Sequence, residues 1–131
     1  MSNLTILIDE LKLEHDVLLK CLNDVEKSGL DSEIGHNGVL ALRRKILSHL
    51  LKEDEELYPI LREKYIGKTE VQELTNRISF EMKKLAVAFL EFVHKYSGEH
   101  EAVNIKGEFE SITKNLKERI NEEEKFFTRY V

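Results

Sequence analysis

Apolar side chains recur at every third or fourth position along most of the sequence, which is the period of amphipathic helices rather than of strands. Turn-forming residues, among them Gly29, Gly67 and Gly98, divide this pattern into four segments. We therefore predict four helices, over residues 4–27, 33–65, 69–96 and 101–131. Because their connections are short, the expected fold is all-α, an up-down-up-down antiparallel four-helix bundle in one domain over residues 1–131.

The second predicted helix is the least regular of the four. Gly35 and Gly38 lie in its first turns, so the helix starts either at Glu33 or somewhat later. Pro59 lacks a backbone N–H group, and it should kink this helix or restart it one turn before its end.

Each predicted helix has an apolar stripe, which includes Ile60 in the second helix and Ala88 in the third. Each stripe also carries charged or imidazole side chains. Burying such groups is costly unless something compensates them. Residues four apart share one helix face, so a pair at this spacing points in one direction. The interruptions are His15 in the first helix, His49 and Glu53 in the second, Glu81 beside Met82 in the third, and Arg119 and Glu123 in the fourth.

These interruptions fall at similar depths in the expected bundle. His15 lies about eleven residues after its helix starts, and Glu81 about twelve. Glu53 lies about twelve residues before its helix ends, and Glu123 eight before the end of the chain. A helix rises about 1.5 Å per residue, so antiparallel neighbours bring these side chains, with His49, within a turn or two of one level. A bound cation would compensate two imidazoles and three carboxylates in one core layer.

The residue types in this layer suggest a metal site. His15, His49 and Glu53 provide two imidazoles and a carboxylate, the ligand set associated with non-haem Fe(II). Glu81 and Glu123 add enough carboxylates to bridge a second ion, as in di-iron bundles. Mixed nitrogen and oxygen donors suit iron or manganese, and zinc also accepts them. The predicted cofactor is therefore one or two iron ions.

A metal-free interpretation fits the same residues. His15 could be a hydrogen-bonded core histidine, and Glu81 and Glu123 could form a buried ion pair with Arg119. The protein would then be a helical module for protein association, with an ion-pair layer in its core. Arg119 stays protonated and cannot be a ligand, but with a metal present it could still balance the charge of the carboxylates.

Composition and charge narrow the range of partners. The chain of 131 residues has one Pro, six Gly and no Trp, a composition that is typical of helical proteins. Its net charge is −5 and its charges of both signs are interspersed, which argues against nucleic-acid binding. The apolar run over residues 4–8 is too short for a signal peptide or a membrane span. Cys21 has no partner for an internal disulfide, so the expected location is the cytoplasm.

Two motifs resemble the hemerythrin-like (HHE cation-binding) domain family. They are Leu13-Glu14-His15-Asp16, and His49-x-x-x-Glu53 running into Leu57-Tyr58-Pro59. The resemblance spans nearly the whole chain, and it implies two helical hairpins, each with a histidine on its first helix and His-x-x-x-Glu on its second. It also implies non-haem iron in the bundle core and a role in sensing or handling O2, NO, peroxide or iron.

The second hairpin departs from the family pattern. Glu123 keeps the expected glutamate, but Met82 and Arg119 stand where histidines are expected. Reversible O2 carriage is therefore less expected than a carboxylate-rich di-iron site, a single metal held by the first hairpin, or a degenerate site. Either Glu81 or Met82 faces the site, because a shift of one residue turns a side chain by about 100°.

Other chemistry is not expected elsewhere in the chain. Di-iron oxidases and ferroxidases usually carry two Glu-x-x-His pairs, and the apolar stripes contain none, so catalysis is not the favoured function. The remaining histidines, His36, His94 and His100, lie near predicted helix starts or off the core stripe, and we do not expect them to bind metal.

Overall fold

The computed structural model describes residues 3–97 and 104–131, and nearly all of these are helical. A π-helical turn, Glu53–Leu57, joins the second helix to the third, so that the two run on as one rod. The described residues form four rods, and the predicted all-α bundle is confirmed. The helices are α1 (Asn3–Ser28), α2 (Glu33–Lys52), α3 (Tyr58–Lys64), α4 (Thr69–Ser97) and α5 (Ile105–Tyr130).

A tight connection sets the end of α1 and the start of α2. Gly29 has φ +81°, a left-handed conformation that glycine adopts at little cost, and its N–H donates to the carbonyl of Val25 at 2.9 Å. The hydroxyl of Ser32 accepts the N–H of Gly35 at 2.9 Å and so caps α2. Helix α2 therefore starts at Glu33, the earlier of the two predicted starts.

The rods form a ring in which neighbours along the chain are also neighbours in space. Helix α1 packs on α2, α2 on α4, α4 on α5, and α5 returns to α1. This is the up-down-up-down order that short connections predict. The predicted helix stop at Gly98 and the predicted helix start at residue 101 lie outside the described residues. None of the helices in the described ranges is long and apolar enough to cross a membrane.

Two apolar clusters make up the core, and a polar layer separates them. The upper cluster contains Val25 and Phe92, and the lower cluster contains Leu61 and Val71. Every rod has buried side chains that belong to neither cluster and lie between them along the chain. These include His15, His49, Glu53, Met82 and Glu123.

The buried faces of α4 and α5 differ in phase from the predicted stripes. On α4 the core contains Phe89 rather than Ala88, and on α5 it contains Ile120 rather than its neighbour Arg119. Adjacent residues differ in direction by about 100° on a helix, so a run of mixed residues leaves the phase open. Contacts with the neighbouring helices decide which residue is buried.

Candidate metal centre

Four polar side chains from three rods converge in the layer between the two clusters. Helix α1 supplies His15, α2 supplies His49, the π-helical turn supplies Glu53, and α5 supplies Glu123. Each is at most 2 % exposed. One donor atom from each lies within 4.8 Å of the others. The structure thus brings together four of the five residues that we predicted to bind metal.

Distances within this group are close to those of ligands around one ion. The Nε2 atom of His15 lies 3.1 Å from Oε1 of Glu123, and Nε2 of His49 lies 3.4 Å from Oε2 of Glu53. Ligand atoms about 2.1 Å from an ion are about 3 Å apart when they are adjacent. The largest separation, 4.8 Å, requires only small side-chain movements to surround an ion.

Both imidazoles turn the same nitrogen inward because a carboxylate holds the other one. The Nδ1–H of His15 donates to Oε2 of Glu124 at 2.7 Å, and the Nδ1–H of His49 donates to Oε1 of Glu14 at 2.8 Å. An ionised carboxylate can only accept, so Nδ1 must carry a proton in each ring. In the neutral imidazole the lone pair is then on Nε2, which faces the interior.

The π-helical turn determines which side chains follow Glu53 into the core. A π turn adds one residue to a helical turn, and here the N–H of Tyr58 bonds back to the carbonyl of Glu53. Tyr58 consequently faces inward and donates its hydroxyl to Oε2 of Glu123 at 3.3 Å, whereas Ile60, predicted to be in the core, is exposed. The helix restarts beside Pro59 as predicted, but the sequence did not indicate the π turn.

Five buried atoms of the group have no hydrogen-bond partner within the described ranges. One such atom costs about 1–3 kcal/mol. Two of the five, Nε2 of His15 and Oε1 of Glu123, lie 3.1 Å apart and compensate each other as an ion pair, but the other three have no such compensation. A cation in contact with these atoms would remove that cost and neutralise the carboxylates, so the donor set fits a metal ion. The atoms are Nε2 of His15 and His49, both carboxylate oxygens of Glu53, and Oε1 of Glu123.

Without a cation, protons balance the charges of this layer. Burial raises the pKa of Glu53 well above its usual range, and the charge of Glu123 raises it further. Burial also acts to raise the pKa of Glu123, but contacts with Glu53 and His15 outweigh burial and lower it. Of the two carboxyl groups, Glu53 is therefore the one that holds a proton.

The two histidines also differ in charge. Burial lowers the pKa of His49, and the positive charge of His15 lowers it further. Burial acts in the same direction on His15, but the carboxylates of Glu123 and Glu124 outweigh it and raise the pKa of His15. The metal-free layer thus pairs a charged His15 with an ionised Glu123 and keeps His49 neutral.

A family model described as "Hemerythrin HHE cation binding domain" matches residues 6–130, nearly the whole chain. The chain belongs to the hemerythrin HHE cation-binding domain family. No curated protein and no solved structure matches it significantly. Membership implies cation binding, and the group of His15, His49, Glu53 and Glu123 is where this hemerythrin-like chain can hold a cation.

The structure does not bring Glu81, the fifth predicted ligand, to the converging group. On α4 it is Met82 that is buried, at 3 % exposed, whereas Glu81 is half-buried and outside the converging group. The two side chains differ by about 100° around the helix axis, and packing turned the thioether inward. Helix α4 therefore contributes no carboxylate to this hemerythrin-like site.

The sequence allowed Arg119 to balance the charge of the buried carboxylates, but in the structure it does not. Its guanidinium nitrogens donate to both carboxylate oxygens of Glu122, at 2.9 and 3.2 Å, in a pair three residues apart on α5. The side chain is 19 % exposed, and this pair turns its charge towards the surface. The predicted buried ion pair of Arg119 with Glu81 and Glu123 is therefore not formed.

Sequence reasoning missed Glu14 and Glu124, the carboxylates that hold the two imidazoles. Glu124 is 38 % exposed, and its place in a run of glutamates is typical of a solvated helix face. The available signal was an acidic residue directly beside a candidate ligand in both α1 and α5. That signal is weak, because acidic residues make up much of any exposed helix face.

The other histidines lie away from the site where the structure describes them. His36 is exposed and lies beside the ring of Tyr96, with 5.4 Å between the ring centroids. His94 is also exposed, on α4. His100 lies outside the described residues.

Proposed function

We propose that this hemerythrin-like protein binds one non-haem iron ion through His15, His49, Glu53 and Glu123. One observation carries the proposal: five donor atoms of these residues are buried together and have no other partner in the described ranges. Two imidazoles with carboxylate oxygens are donors that iron accepts in proteins. Manganese and zinc accept the same donors, so metal analysis has to include both.

Two residues that stand where the family pattern has histidines favour one ion over a di-iron centre. A second ion would need further ligands from α4 and α5, where this chain has Met82 and Arg119. A thioether prefers soft metals and a guanidinium stays protonated, so neither replaces an imidazole at a di-iron centre. No second set of His, Cys, Asp or Glu ligands converges in the described part of the chain.

The role that we propose is the sensing or handling of O2, NO, peroxide or iron itself. Bound iron would supply redox chemistry and a position for a small ligand. His15, His49, Glu53 and Glu123 would hold the ion, through the five buried atoms that have no other partner in the described ranges. Meanwhile the apolar clusters on both sides limit access of water, and Tyr58 keeps one oxygen of Glu123 engaged.

Ligand variants and a matched carboxylate variant test the proposal. After anaerobic reconstitution with Fe(II), the unchanged protein should hold about one iron per chain, and His49→Ala and Glu53→Ala less than about a tenth. Glu81→Ala removes a carboxylate of α4 that lies outside the group, and it should retain the full iron content. No iron in the unchanged protein, or equal contents in all four proteins, would contradict the proposal.

The metal-free alternative, an association module with an ion-pair layer, predicts a different outcome. In that alternative the charged His15 would pair permanently with Glu123, whereas Arg119 would take no part because it pairs with Glu122. Under that alternative the unchanged protein would fold normally and hold no iron, manganese or zinc. Metal analysis of a correctly folded sample therefore separates the two functions.

A further inference from the structure

Each histidine of the group is held by a carboxylate that stands next to a different group member in the sequence. Glu14 precedes His15, but it accepts from His49 on the neighbouring helix, at 2.8 Å. Glu124 follows Glu123, but it accepts from His15, at 2.7 Å. Helix α5 thus orients the histidine of α1, and α1 orients the histidine of α2.

We propose that Glu14 and Glu124 are positioning residues that set the metal affinity of the buried site, and that Lys52 acts through Glu14. The inference rests on the proposed function, because it concerns the same site. Neither carboxylate belongs to the group that would contact the ion, and both reach the surface, at 35 and 38 % exposed. Surface residues would therefore tune a site that is itself closed to solvent.

A carboxylate on the outer nitrogen changes what an imidazole can do on its inner nitrogen. It fixes the proton on Nδ1, holds the plane of the ring, and makes Nε2 a stronger donor. His15 and His49 are both held in this way, so both rings are oriented before an ion arrives. Preorganised donors lose less freedom on binding, which favours affinity.

The His49–Glu14 pair differs from the His15–Glu124 pair because a lysine holds Glu14 in place. The Nζ of Lys52 lies 2.9 Å from Oε2 of Glu14, which leaves Oε1 for His49. Lys52 also lies 2.8 Å from Oε2 of Glu10, so two carboxylates of α1 anchor it. Both oxygens of Glu14 are therefore engaged, one by the histidine and one by the lysine.

A substitution of Lys52 distinguishes two explanations of its effect on metal affinity, namely positioning of Glu14 and simple charge repulsion. A positive charge near a cation site repels the cation, so on Coulomb grounds alone its removal should strengthen metal binding. If Lys52 acts by holding Glu14, its removal should weaken metal binding. The two explanations predict opposite signs for one substitution.

The experiment measures Fe(II) affinity, anaerobically and in competition with a chromogenic chelator. Glu14→Ala and Glu124→Ala should each weaken Kd by about 10–100-fold. Glu14→Gln keeps an acceptor oxygen, so it should lose less than Glu14→Ala. Lys52→Met should weaken Kd by about two- to fivefold, and add nothing further in the Glu14→Ala background.

Asp54→Asn is the matched control for charge. Asp54 adjoins Glu53 and lies 3.6 Å from Lys83 at the surface, and it holds no histidine. Its loss should change Kd by less than about twofold, because exposed charges interact weakly with their surroundings. A loss as large as that of Glu14→Ala would mean that charge alone explains the effect.

A second measurement follows the imidazole directly in the metal-free protein. Nitrogen-15 NMR distinguishes a ring protonated on Nδ1 from one protonated on Nε2. His49 should be protonated on Nδ1 in the unchanged protein and in Asp54→Asn, and should become a mixture of the two forms in Glu14→Ala. Well-dispersed backbone signals in the same spectra establish that each variant is folded.

The outcomes distinguish this inference from the function on which it rests. Unchanged affinity in folded Glu14→Ala and Glu124→Ala would overturn the inference and leave iron binding intact. Absence of Fe(II) binding in the unchanged protein would overturn the proposed function. Tighter binding by Lys52→Met would overturn the role assigned to Lys52.

Discussion

At the scale of single residues, Glu53 and Glu123 show how two buried carboxyl groups acquire different protonation states. Glu123 has a charged His15 at 3.1 Å and the hydroxyl of Tyr58 at 3.3 Å. Glu53 has a neutral His49 at 3.4 Å, and neither of its oxygens has a hydrogen bond from any residue that the structure describes. The environment rather than the residue type therefore decides which carboxyl group is ionised in the metal-free protein.

Glutamine substitutions test this assignment. Glu53→Gln mimics a protonated carboxyl group, so the metal-free variant should be as stable as the unchanged protein or more stable. Glu123→Gln deprives the charged His15 of its partner and should cost about 1–3 kcal/mol. Urea unfolding of the metal-free proteins at neutral pH measures both changes. Equal destabilisation by the two substitutions would contradict the assigned charges.

The same charges predict how stability varies with pH. The pKa values of His15 and Glu53 are higher in the folded protein than their unfolded-state values of 6.5 and 4.5. Each group therefore contributes stability below its unfolded-state pKa, and this contribution is lost as the pH rises towards and through its folded-state pKa. His49 and Glu123 have lowered pKa values, and their contributions no longer change above about pH 7. The metal-free protein should therefore lose stability as the pH rises above about 7.

Metal binding should show the opposite dependence on pH. A cation has to displace the protons of His15 and Glu53, so Fe(II) affinity should rise with pH over this same range. Urea midpoints of the metal-free protein and chelator competition for the metal provide the two curves. Two curves that rise together would be inconsistent with a site that exchanges protons for a cation.

At the scale of elements, α2 shows that residues which look like helix breakers can be part of the packing. Gly35 and Gly38 weaken a helix on propensity grounds, yet α2 runs through both. A Cβ at Gly35 would overlap the carbonyl oxygen of Gly29, and one at Gly38 would lie 2.6 Å from Cγ2 of Val25. Both glycines therefore allow α1 and its turn to approach α2 closely.

Gly35→Ala should destabilise the protein even though alanine is the better helix former. The gain in helix propensity is about 1 kcal/mol, and the overlap with backbone that cannot move aside should outweigh it by about 1–3 kcal/mol. Asn37→Ala is a matched control, because Asn37 is exposed in the same helix and should be neutral or slightly stabilising. Thermal unfolding measures both variants, and a higher midpoint for Gly35→Ala would contradict this account of the turn.

Sequence patterns predicted the helices well, but they did not predict the phase at every site. Gly29, Gly67 and Pro59 marked ends and restarts that the structure has, since backbone constraints act locally. Whether Glu81 or Met82 turns inward depended on the rotation of α4 against its neighbours, which no local rule provides. The π-helical turn could not be predicted either, because it reorients Tyr58 although no residue in the sequence indicates a π turn.

At the scale of the whole molecule, the position of a residue in its helix determines its level along the axis of an antiparallel bundle. This relation is why the depths of His15, Glu53 and Glu123 in their helices indicated one shared layer, and the structure places them there with His49. The partnerships of Glu14 and Glu124 could not be derived in the same way. They depend on which helices are adjacent and how each is rotated, and the sequence alone left that rotation open.

Anomalous diffraction from crystals of the Fe(II)-loaded protein tests the central claim most directly, because the iron edge shows both where the metal binds and how many ions bind. We predict one anomalous peak per chain, between the Nε2 atoms of His15 and His49 and the carboxylates of Glu53 and Glu123. Two peaks would contradict the single-ion site. A peak elsewhere, or none in a protein loaded with iron, would contradict the assignment of this layer as the metal centre.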